Sequence, residues 1–266
     1  AAASPAPAEV EVQPVETARF RGEWVWMPGA DPDRRILYLH GGGYTAGSSR
    51  THRRLAADLS AASGCVSLVL DYPLAPEHPF PAATDAALAA YRWIRRNNRS
   101  GEAASHATFV AGDSAGGNLT LETIINARDD ALPLPQAAVT FSAWTDLAAT
   151  GETVKTRAKR DPILSDPRAL IAAATVYAGQ ASLRHPGVSP LYAELRDLPP
   201  LFMNVGDDEV LLDDTLRFAA RAAAAGVEVR LSVEPAGFHT YPYFVPDAPE
   251  SVQAVWHAGE FLRSHG

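Results

Sequence analysis

A serine between glycines, at the end of an apolar run, is the first feature of this sequence that could do chemistry. In "ATFVAGDSAGGN", Gly112, Ser114 and Gly116 match the pattern G-x-S-x-G. A strand pattern precedes the serine and a helical pattern follows it, which is typical of a nucleophile elbow. Such a turn presents a serine hydroxyl at a helix N-terminus, where the helix dipole favours negative charge. The pattern therefore predicts Ser114 as a nucleophile.

A serine hydroxyl is a weak nucleophile and needs a base, which in turn needs an orienting acid. On sheets with this kind of elbow the chain order is serine, acid, histidine. Asp207, Asp208 and Glu209 follow one apolar run and are candidate acids, and His239 follows the next run. His239 is thus predicted to be the base, whereas His52 is predicted to lie on the surface.

The glycine run in "HGGGYTAG" allows two interpretations. From His40 it is H-G-G-G, which supplies an oxyanion hole in some esterases. Gly41, Gly43 and Ala46 also fit a dinucleotide fingerprint, and Asp71 lies near the place of a ribose-binding acid. However, a convincing helix begins only after "GSSRTHRR", so the helix N-terminus that should bind a pyrophosphate is misplaced. A dinucleotide-dependent oxidoreductase remains the alternative hypothesis.

Alternating strand and helix patterns surround these residues. Strands are predicted over 34–40, 65–72, 107–113, 136–144, 199–207 and 227–235, and helices over 50–63, 81–97, 115–130, 213–226 and 248–265. Because the apolar runs are continuous, we expect a mostly parallel sheet with helices on both faces, in a doubly wound α/β arrangement. The segment 18–28 alternates in polarity and is predicted to be an antiparallel edge strand.

One long segment, 147–198, interrupts this rhythm. It contains one convincing helix near 167–177, with Asp166 as its N-cap and Pro167 at the first helical position. Ligands bind at the carboxyl edge of such sheets. The segment is therefore predicted to be a cap or lid insertion over that edge, and a surface excursion is the alternative.

Length and composition fit one domain over 1–266, since the 266 residues are 47% apolar. The net charge of −8 argues against nucleic acid as a partner, and the single cysteine excludes an intrachain disulfide. No apolar run reaches membrane-spanning length, and the first residues lack the features of a signal peptide, so we expect no membrane partner and a cytoplasmic protein. Residues 1–18 are expected to be flexible or cap-related, and the lack of an initiator Met predicts that a natural N-terminal part is missing.

Five motifs occur in order and cover most of the chain: "HGGGY", "DYPLAPEHPFPAA", "GDSAGGN", "GDDEVLLDD" and "GFH". Together they resemble the bacterial hormone-sensitive lipase family, in its GDSAG branch. The resemblance implies an α/β-hydrolase fold with a small helical cap and acyl transfer without a metal or organic cofactor. It further implies Ser114 as the nucleophile, His239 as the base and Asp208 as the acid, with Asp207 the less favoured choice.

The same resemblance implies roles for the glycine loop and its neighbours. The backbone N–H groups of Gly42, Gly43 and Ala115 would form the oxyanion hole. His40 would hold the loop, and Glu77 would anchor the segment beside it through hydrogen bonds.

Aromatic residues next to the catalytic positions are the pocket candidates: Tyr44, Trp144, Phe238 and Tyr241. Candidates in the cap are Ile163, Leu164 and Val176. An apolar pocket suits short- to medium-chain esters of uncharged alcohols, with lactones as an alternative substrate. A non-catalytic small-molecule receptor on the same fold is the alternative of another class, and such a receptor is expected to lose a triad member. A monomer and a homodimer are both compatible with the sequence.

Overall fold

The computed structural model describes residues 4–266, and its centre is an eight-stranded sheet in the order β1-β2-β4-β3-β7-β8-β9-β10. Its strands are β1 (Glu11–Glu16), β2 (Arg21–Trp26), β3 (Asp31–Leu39), β4 (Cys65–Asp71), β7 (Ala107–Asp113), β8 (Ala137–Phe141), β9 (Leu201–Gly206) and β10 (Val229–Glu234). A separate ribbon pairs β5 (Asn97–Asn98) with β6 (Gly101–Glu102). From β4 to β10 all pairings within the main sheet are parallel.

Helices cover both faces of the sheet. They are α1 (Ser49–Ser63), α2 (Ala82–Ile94), α3 (Ala115–Asp129), α4 (Thr153–Thr156), α5 (Pro167–Ala178), α6 (Leu212–Ala224), α7 (Tyr241–Phe244) and α8 (Pro249–Ser264), with a 3₁₀ turn at Pro190–Tyr192. The side chains of β3 point alternately to the two faces of the sheet and belong to two separate hydrophobic cores. Leu37 and Leu39 pack with α2, α3 and α6, whereas Ile36 and Tyr38 pack with α1 and α8. Strands buried on both faces need continuous apolar runs, and the predicted fold class is confirmed.

The N-terminal prediction needs a correction. Residues 11–16, expected to be part of a flexible or cap-related segment over 1–18, form β1, which pairs antiparallel with β2 in the register Glu11↔Trp26. The strand β2 is antiparallel as predicted, but it is not an edge strand, because β1 lies outside it. Val12 and Val15 are half-buried against the sheet. Residues 1–3 lie outside the described residues.

The segment 147–198 contains α4, α5 and the 3₁₀ turn. As predicted, α5 begins after Asp166, whose carboxylate accepts a hydrogen bond from the N–H of Arg168, and Pro167 occupies the first turn. Leu170, Ala174 and Tyr177 on one side of α5 are buried. Across residues 4–266, the helices are too short or too polar to cross a membrane.

Candidate active site

Ser114 occupies a tight turn between β7 and α3. Its backbone has φ 54° and ψ −119°, in a region that residues with a side chain rarely adopt. The turn is possible because glycines precede and follow it. A Cβ at Gly116 would collide with the Leu39 carbonyl oxygen, and one at Gly112 with the Gly116 carbonyl oxygen. The predicted elbow is therefore present, and small residues are required on both sides of it.

His239 lies directly against the serine. Its Nε2 is 2.9 Å from the Ser114 Oγ, which is a good distance for an O–H donating to a ring nitrogen. The ring is buried, in the loop that follows β10. The backbone N–H of the next residue, Thr240, donates to the Ser142 Oγ at 3.0 Å and fixes the end of this loop. The structure thus brings the two predicted residues together.

The carboxylate beside His239 belongs to Glu209. Its Oε1 is 3.4 Å from the His239 Nδ1, and its side chain is fully buried. Its second oxygen, Oε2, accepts hydrogen bonds from the Ser142 Oγ at 2.7 Å and from the Gly206 N–H at 3.0 Å. Three donors therefore converge on one carboxylate and hold it in a fixed orientation.

The position predicted for the acid is consequently corrected. The Asp208 carboxylate does not contact His239 but lies 2.7 Å from the guanidinium of Arg160. The Asp207 carboxylate accepts from the N–H of Ala236 at 2.7 Å, which closes a turn. Glu209 was one of three candidates from spacing. Spacing alone does not separate it from Asp207 and Asp208.

The surroundings of His239 set its protonation. Burial opposes the charged ring, but the hydrogen bond to Glu209 and the negative charge of Glu209 outweigh burial and raise the pKa of His239 above its ordinary value. The imidazolium that would form when the ring accepts a proton is therefore stabilised in place.

The glycine loop lies opposite the serine. Gly42 and Gly43 have φ 122° and 63°, and both line the same cavity as Ser114. A Cβ on Gly42 would collide with the Ala46 carbonyl oxygen, so only glycine fits there. The carbonyl of Gly42 accepts from the Ala46 N–H at 3.0 Å. Within residues 4–266 no protein acceptor is paired with the N–H groups of Gly42, Gly43 or Ala115.

His40 supports this loop from below. Its Nδ1 is 2.7 Å from the Gly41 carbonyl oxygen, and its ring stacks on Tyr72 at a centroid distance of 4.2 Å. Burial lowers the pKa of His40 to about 4, so the ring is neutral and Nδ1–H donates to the carbonyl. The hydroxyl of Tyr72 donates to the His40 carbonyl at 2.7 Å. His40 therefore lies where the resemblance places it.

The expected anchor Glu77 is not part of this support. Its side chain is exposed and forms no hydrogen bond or ion pair with the other described residues. The segment is instead held by its backbone, since the N–H of Ala75 donates to the Tyr44 carbonyl at 2.9 Å. A glutamate beside proline and histidine turns to solvent here because the loop offers it no donor.

Asp113, next to the nucleophile, points away from His239 as expected. Its Oδ1 accepts from the Tyr38 hydroxyl at 2.8 Å and from the Gly41 N–H at 3.1 Å. Its Oδ2 is 3.4 Å from the Nε2 of His52. The prediction that His52 lies on the surface is wrong, because it faces inward from α1 and lines the cavity. Its helical spacing with the buried Leu55 and Leu59 is the signal that could have placed it.

The cavity above Ser114 has a volume of about 480 Å³. Its apolar wall is formed by Trp144, Ile163, Leu164, Leu170, Tyr243 and Phe244. Trp144 is thus the one pocket candidate next to the catalytic positions that lines it. Of the candidates in the segment 147–198, Ile163 and Leu164 line it as predicted, whereas Val176 is exposed and does not line it.

The other three pocket candidates are not in the cavity wall. Tyr44 is fully buried, its ring is stacked on Tyr177 at a centroid distance of 3.5 Å, and its hydroxyl donates to Asn118. Tyr241 is buried with its hydroxyl 3.0 Å from the Asn204 amide nitrogen. The ring of Phe238 lies near that of Phe244, with 6.4 Å between the ring centroids.

Sequence reasoning missed two further aromatic residues of the wall, Tyr243 and Phe244. They lie on the short helix α7, directly after the base loop. Adjacent aromatic residues in "HTYPYF" are compatible with either core or pocket, and only the path of α7 separates the two. Within residues 4–266, no group of three or more His, Cys, Asp or Glu residues is arranged to hold a metal ion.

The fold and this constellation define an α/β hydrolase, and residues 36–243 match the family model described as the alpha/beta hydrolase fold. Two solved structures superpose with a TM-score of 0.92 each. EstE5 soaked with p-nitrophenyl butyrate is 43% identical, with 99% of this chain and 87% of that chain covered. An esterase from the bacterial hormone-sensitive lipase family is 41% identical, with coverage of 98% and 86%. An acetyl-hydrolase of Streptomyces hygroscopicus is 41% identical, with 94% of this chain and 82% of the relative covered.

This chain belongs to the bacterial hormone-sensitive lipase family of α/β hydrolases. The predicted resemblance is therefore confirmed, and with it the family to which the elbow, the glycine loop and His239 pointed.

Proposed function

We propose that this protein is a serine carboxylesterase that hydrolyses short- to medium-chain esters of uncharged alcohols through an acyl-enzyme. The observation that carries the proposal is the 2.9 Å contact between the Ser114 Oγ and the His239 Nε2. It lies at the base of an apolar cavity and faces a glycine loop. The similarity to esterases and to an acetyl-hydrolase supports the same class of substrate.

In the first half-reaction His239 accepts the Ser114 hydroxyl proton on Nε2 while Oγ attacks the ester carbonyl carbon. The carbonyl oxygen becomes an oxyanion, to which the N–H groups of Gly42, Gly43 and Ala115 donate. These donors suit that role because no protein group within residues 4–266 accepts from them. Loss of one such donor typically lowers kcat by about 10²–10³.

The tetrahedral intermediate then collapses. The bond to the alcohol oxygen breaks, and that oxygen takes the proton from His239 Nε2 as the alcohol leaves. Water attacks the acyl-enzyme, His239 accepts one of its protons, and the same proton returns to Ser114 as the acid is released. Glu209 contributes by keeping Nδ1 protonated and by stabilising the imidazolium in both halves.

The cavity supports the substrate class. Its volume of about 480 Å³ is in the range of small-molecule sites, and its wall offers aliphatic and aromatic surface to an acyl chain. Ile163, Leu164 and Leu170 of this wall come from the segment 147–198. We therefore infer that this segment is the cap of the active site.

The test is hydrolysis of p-nitrophenyl butyrate by the wild type and by Ser114→Ala. We expect the wild type to turn over and the variant to retain no more than about 10⁻⁴ of that rate, with an unchanged circular dichroism spectrum. An organophosphonate should add once to the wild type and not to the variant. Wild-type turnover by Ser114→Ala, or labelling at another residue, would contradict the mechanism.

A further inference from the structure

A short segment of the cap connects the substrate wall to the loop that carries the acid. We call residues 157–164 the cap strap and residues 207–211 the acid loop. The cap strap ends in Ile163 and Leu164, which line the cavity. The acid loop carries Glu209, which contacts His239. Two carboxylates join these segments, one from each.

Asp161 is the central link. Its Oδ1 accepts from the N–H groups of Ile163 at 2.9 Å and Leu164 at 3.1 Å. Its Oδ2 accepts from the N–H of Val210 at 3.1 Å, across 49 positions of sequence. The side chain is 1% exposed. One buried carboxylate thus fixes both wall residues and the residue directly after the catalytic acid.

A second link lies nearer the surface. The Asp208 carboxylate is 2.7 Å from the guanidinium of Arg160 and 4.0 Å from that of Arg157. The Arg160 side chain is 54% exposed, so solvent screens this pair and its contribution is small. Asp161 is enclosed and accepts three N–H groups, so its loss leaves buried donors unpaired.

We propose that Asp161 is a positioning residue that couples the acyl wall to the catalytic acid, so that one carboxylate sets both the acyl-chain preference and the alignment of Glu209. The proposal rests on the esterase function proposed above. Asp161 acts through its neighbours, since its oxygens are occupied by backbone N–H groups and it does not line the cavity.

The negative charge of Asp161 lies close enough to His239 to affect it, which supports a link between Asp161 and the catalytic residues. The negative charge of Asp161 also raises the pKa of His239, after the larger effects of burial and of Glu209. An uncharged side chain at position 161 should therefore shift the acid limb of the pH–rate profile to lower pH. A carboxylate without an electrostatic effect on His239 would leave that limb in place.

Two variants at position 161 distinguish the contacts of Asp161 with the cap strap from its contact with Val210. Asp161→Asn keeps the shape but offers one acceptor oxygen instead of two, so either the strap or Val210 loses its partner. Asp161→Ser retains a short acceptor for the strap amides and is too short to reach Val210. We expect both to lower the preference for hexanoate over acetate p-nitrophenyl esters, measured as the ratio of kcat/KM, by about tenfold. The acid limb should move to lower pH in both.

Asp166→Asn is the matched control, because Asp166 lies in the same cap, accepts an N–H at the start of α5 and does not contact the acid loop. It should leave the chain-length ratio and the acid limb unchanged. If Asp161→Asn and Asp161→Ser behave like this control, the proposal is wrong. It is also wrong if they lower kcat equally for every ester without moving the limb.

Hydrogen exchange provides a readout that does not require esterase activity. In the wild type, peptides covering the cap strap and the acid loop should exchange slowly and to a similar extent. In Asp161→Ser both should exchange faster, and in Asp166→Asn neither should. Exchange that changes in the strap alone would contradict the link even if the protein proved not to hydrolyse esters, and the wild-type measurement stands if a variant fails to fold.

Discussion

Glu209 and Asp208 are neighbours with the same charge and opposite surroundings. The Glu209 side chain is fully buried and receives the Ser142 hydroxyl and the Gly206 N–H, whereas Asp208 faces two arginines at the edge of the cap. Charge alone therefore does not make a triad acid. The fixed donors around it decide which carboxylate is held against the base.

Replacing each carboxylate by its amide tests this assignment. We expect Glu209→Gln to lower kcat by about 10²–10⁴, since the amide cannot stabilise the imidazolium and can present its N–H₂ to Nδ1. Asp208→Asn, the matched control one residue away, should keep kcat within about threefold, since it loses only a screened ion pair. Steady-state kinetics with p-nitrophenyl butyrate measures both. The reverse order of the two effects would restore Asp208 as the acid.

The pH dependence follows from the raised pKa of His239. In the proposed mechanism neutral His239 is the active form, and the raised pKa keeps the ring protonated up to a higher pH than a free histidine. Thus kcat/KM should rise with pH through a midpoint above the ordinary value of 6.5. Glu209→Gln should move that midpoint downwards. A midpoint at or below 6.5 in the wild type would contradict the stabilised imidazolium.

At the residue scale, the structure brings together two residues that a local sequence pattern singles out. Ser114 and His239 are each marked by the end of a strand and by small or aromatic neighbours. Choosing among the acids requires the donors Ser142 and Gly206, and Ser142 is 67 positions away from Glu209. No spacing rule contains that contact, so the sequence could narrow the acid to three residues but could not select Glu209.

Among the elements, the glycine loop has the strictest backbone requirement. Gly42 combines φ 122° with a backbone oxygen in the place of any Cβ, whereas Gly43 has φ 63° and only ordinary contacts around an added Cβ. The two positions therefore differ in what they tolerate, although both are expected to donate an N–H to the oxyanion.

Alanine at each position tests this difference. We expect Gly42→Ala to move the loop and lower kcat by about 10² or more, as for a lost oxyanion donor. Gly43→Ala, the matched control, should lower kcat by about tenfold or less. An alanine in the αL region is strained by about 1–2 kcal/mol, but its Cβ meets no collision here. Kinetics and thermal unfolding of both variants measure the effect. Equal losses would show that backbone strain, and not the collision, is the determinant.

Most elements could be predicted, with ends within a few residues, because apolar runs and helical spacing follow from burial alone. The strand β1 was missed because only Val12 and Val15 are half-buried and the rest of its side chains are exposed. Half of the named wall residues, Leu170, Tyr243 and Phe244, were missed for another reason. Whether an aromatic residue near the site faces the cavity depends on how α5 and α7 pass over the sheet, and that path is tertiary.

At the scale of the whole molecule, the two cores enclose polar groups that the reaction does not use. Glu122 on α3 is 1% exposed, and its Oε1 has no hydrogen-bond partner within residues 4–266. Burial raises the pKa of Glu122 well above its ordinary value. The native protein therefore keeps a proton that the unfolded chain releases above about pH 4.5.

This proton makes stability depend on pH with a definite sign. Unfolding releases a proton between the unfolded and the native pKa of Glu122, so this residue lowers the free energy of unfolding as pH rises through that range. We expect Glu122→Gln to raise Tm relative to the wild type at about pH 8 and to leave it nearly unchanged at about pH 4. Differential scanning calorimetry at both pH values measures this. An increase in Tm of the same size at both pH values would show that titration of Glu122 is not the cause.

The stack of Tyr44 on Tyr177 has a consequence for how substrate enters. Tyr44 directly follows the glycine loop, and Tyr177 lies near the end of α5. Their rings stack at a centroid distance of 3.5 Å, so the stack joins the glycine loop to the segment 147–198. A hinge motion that lifted α5 would separate these two rings and expose both buried side chains to solvent. We therefore expect ester and product to pass beside Ile163, which lines the cavity and is already 37% exposed, without separation of the two tyrosine rings.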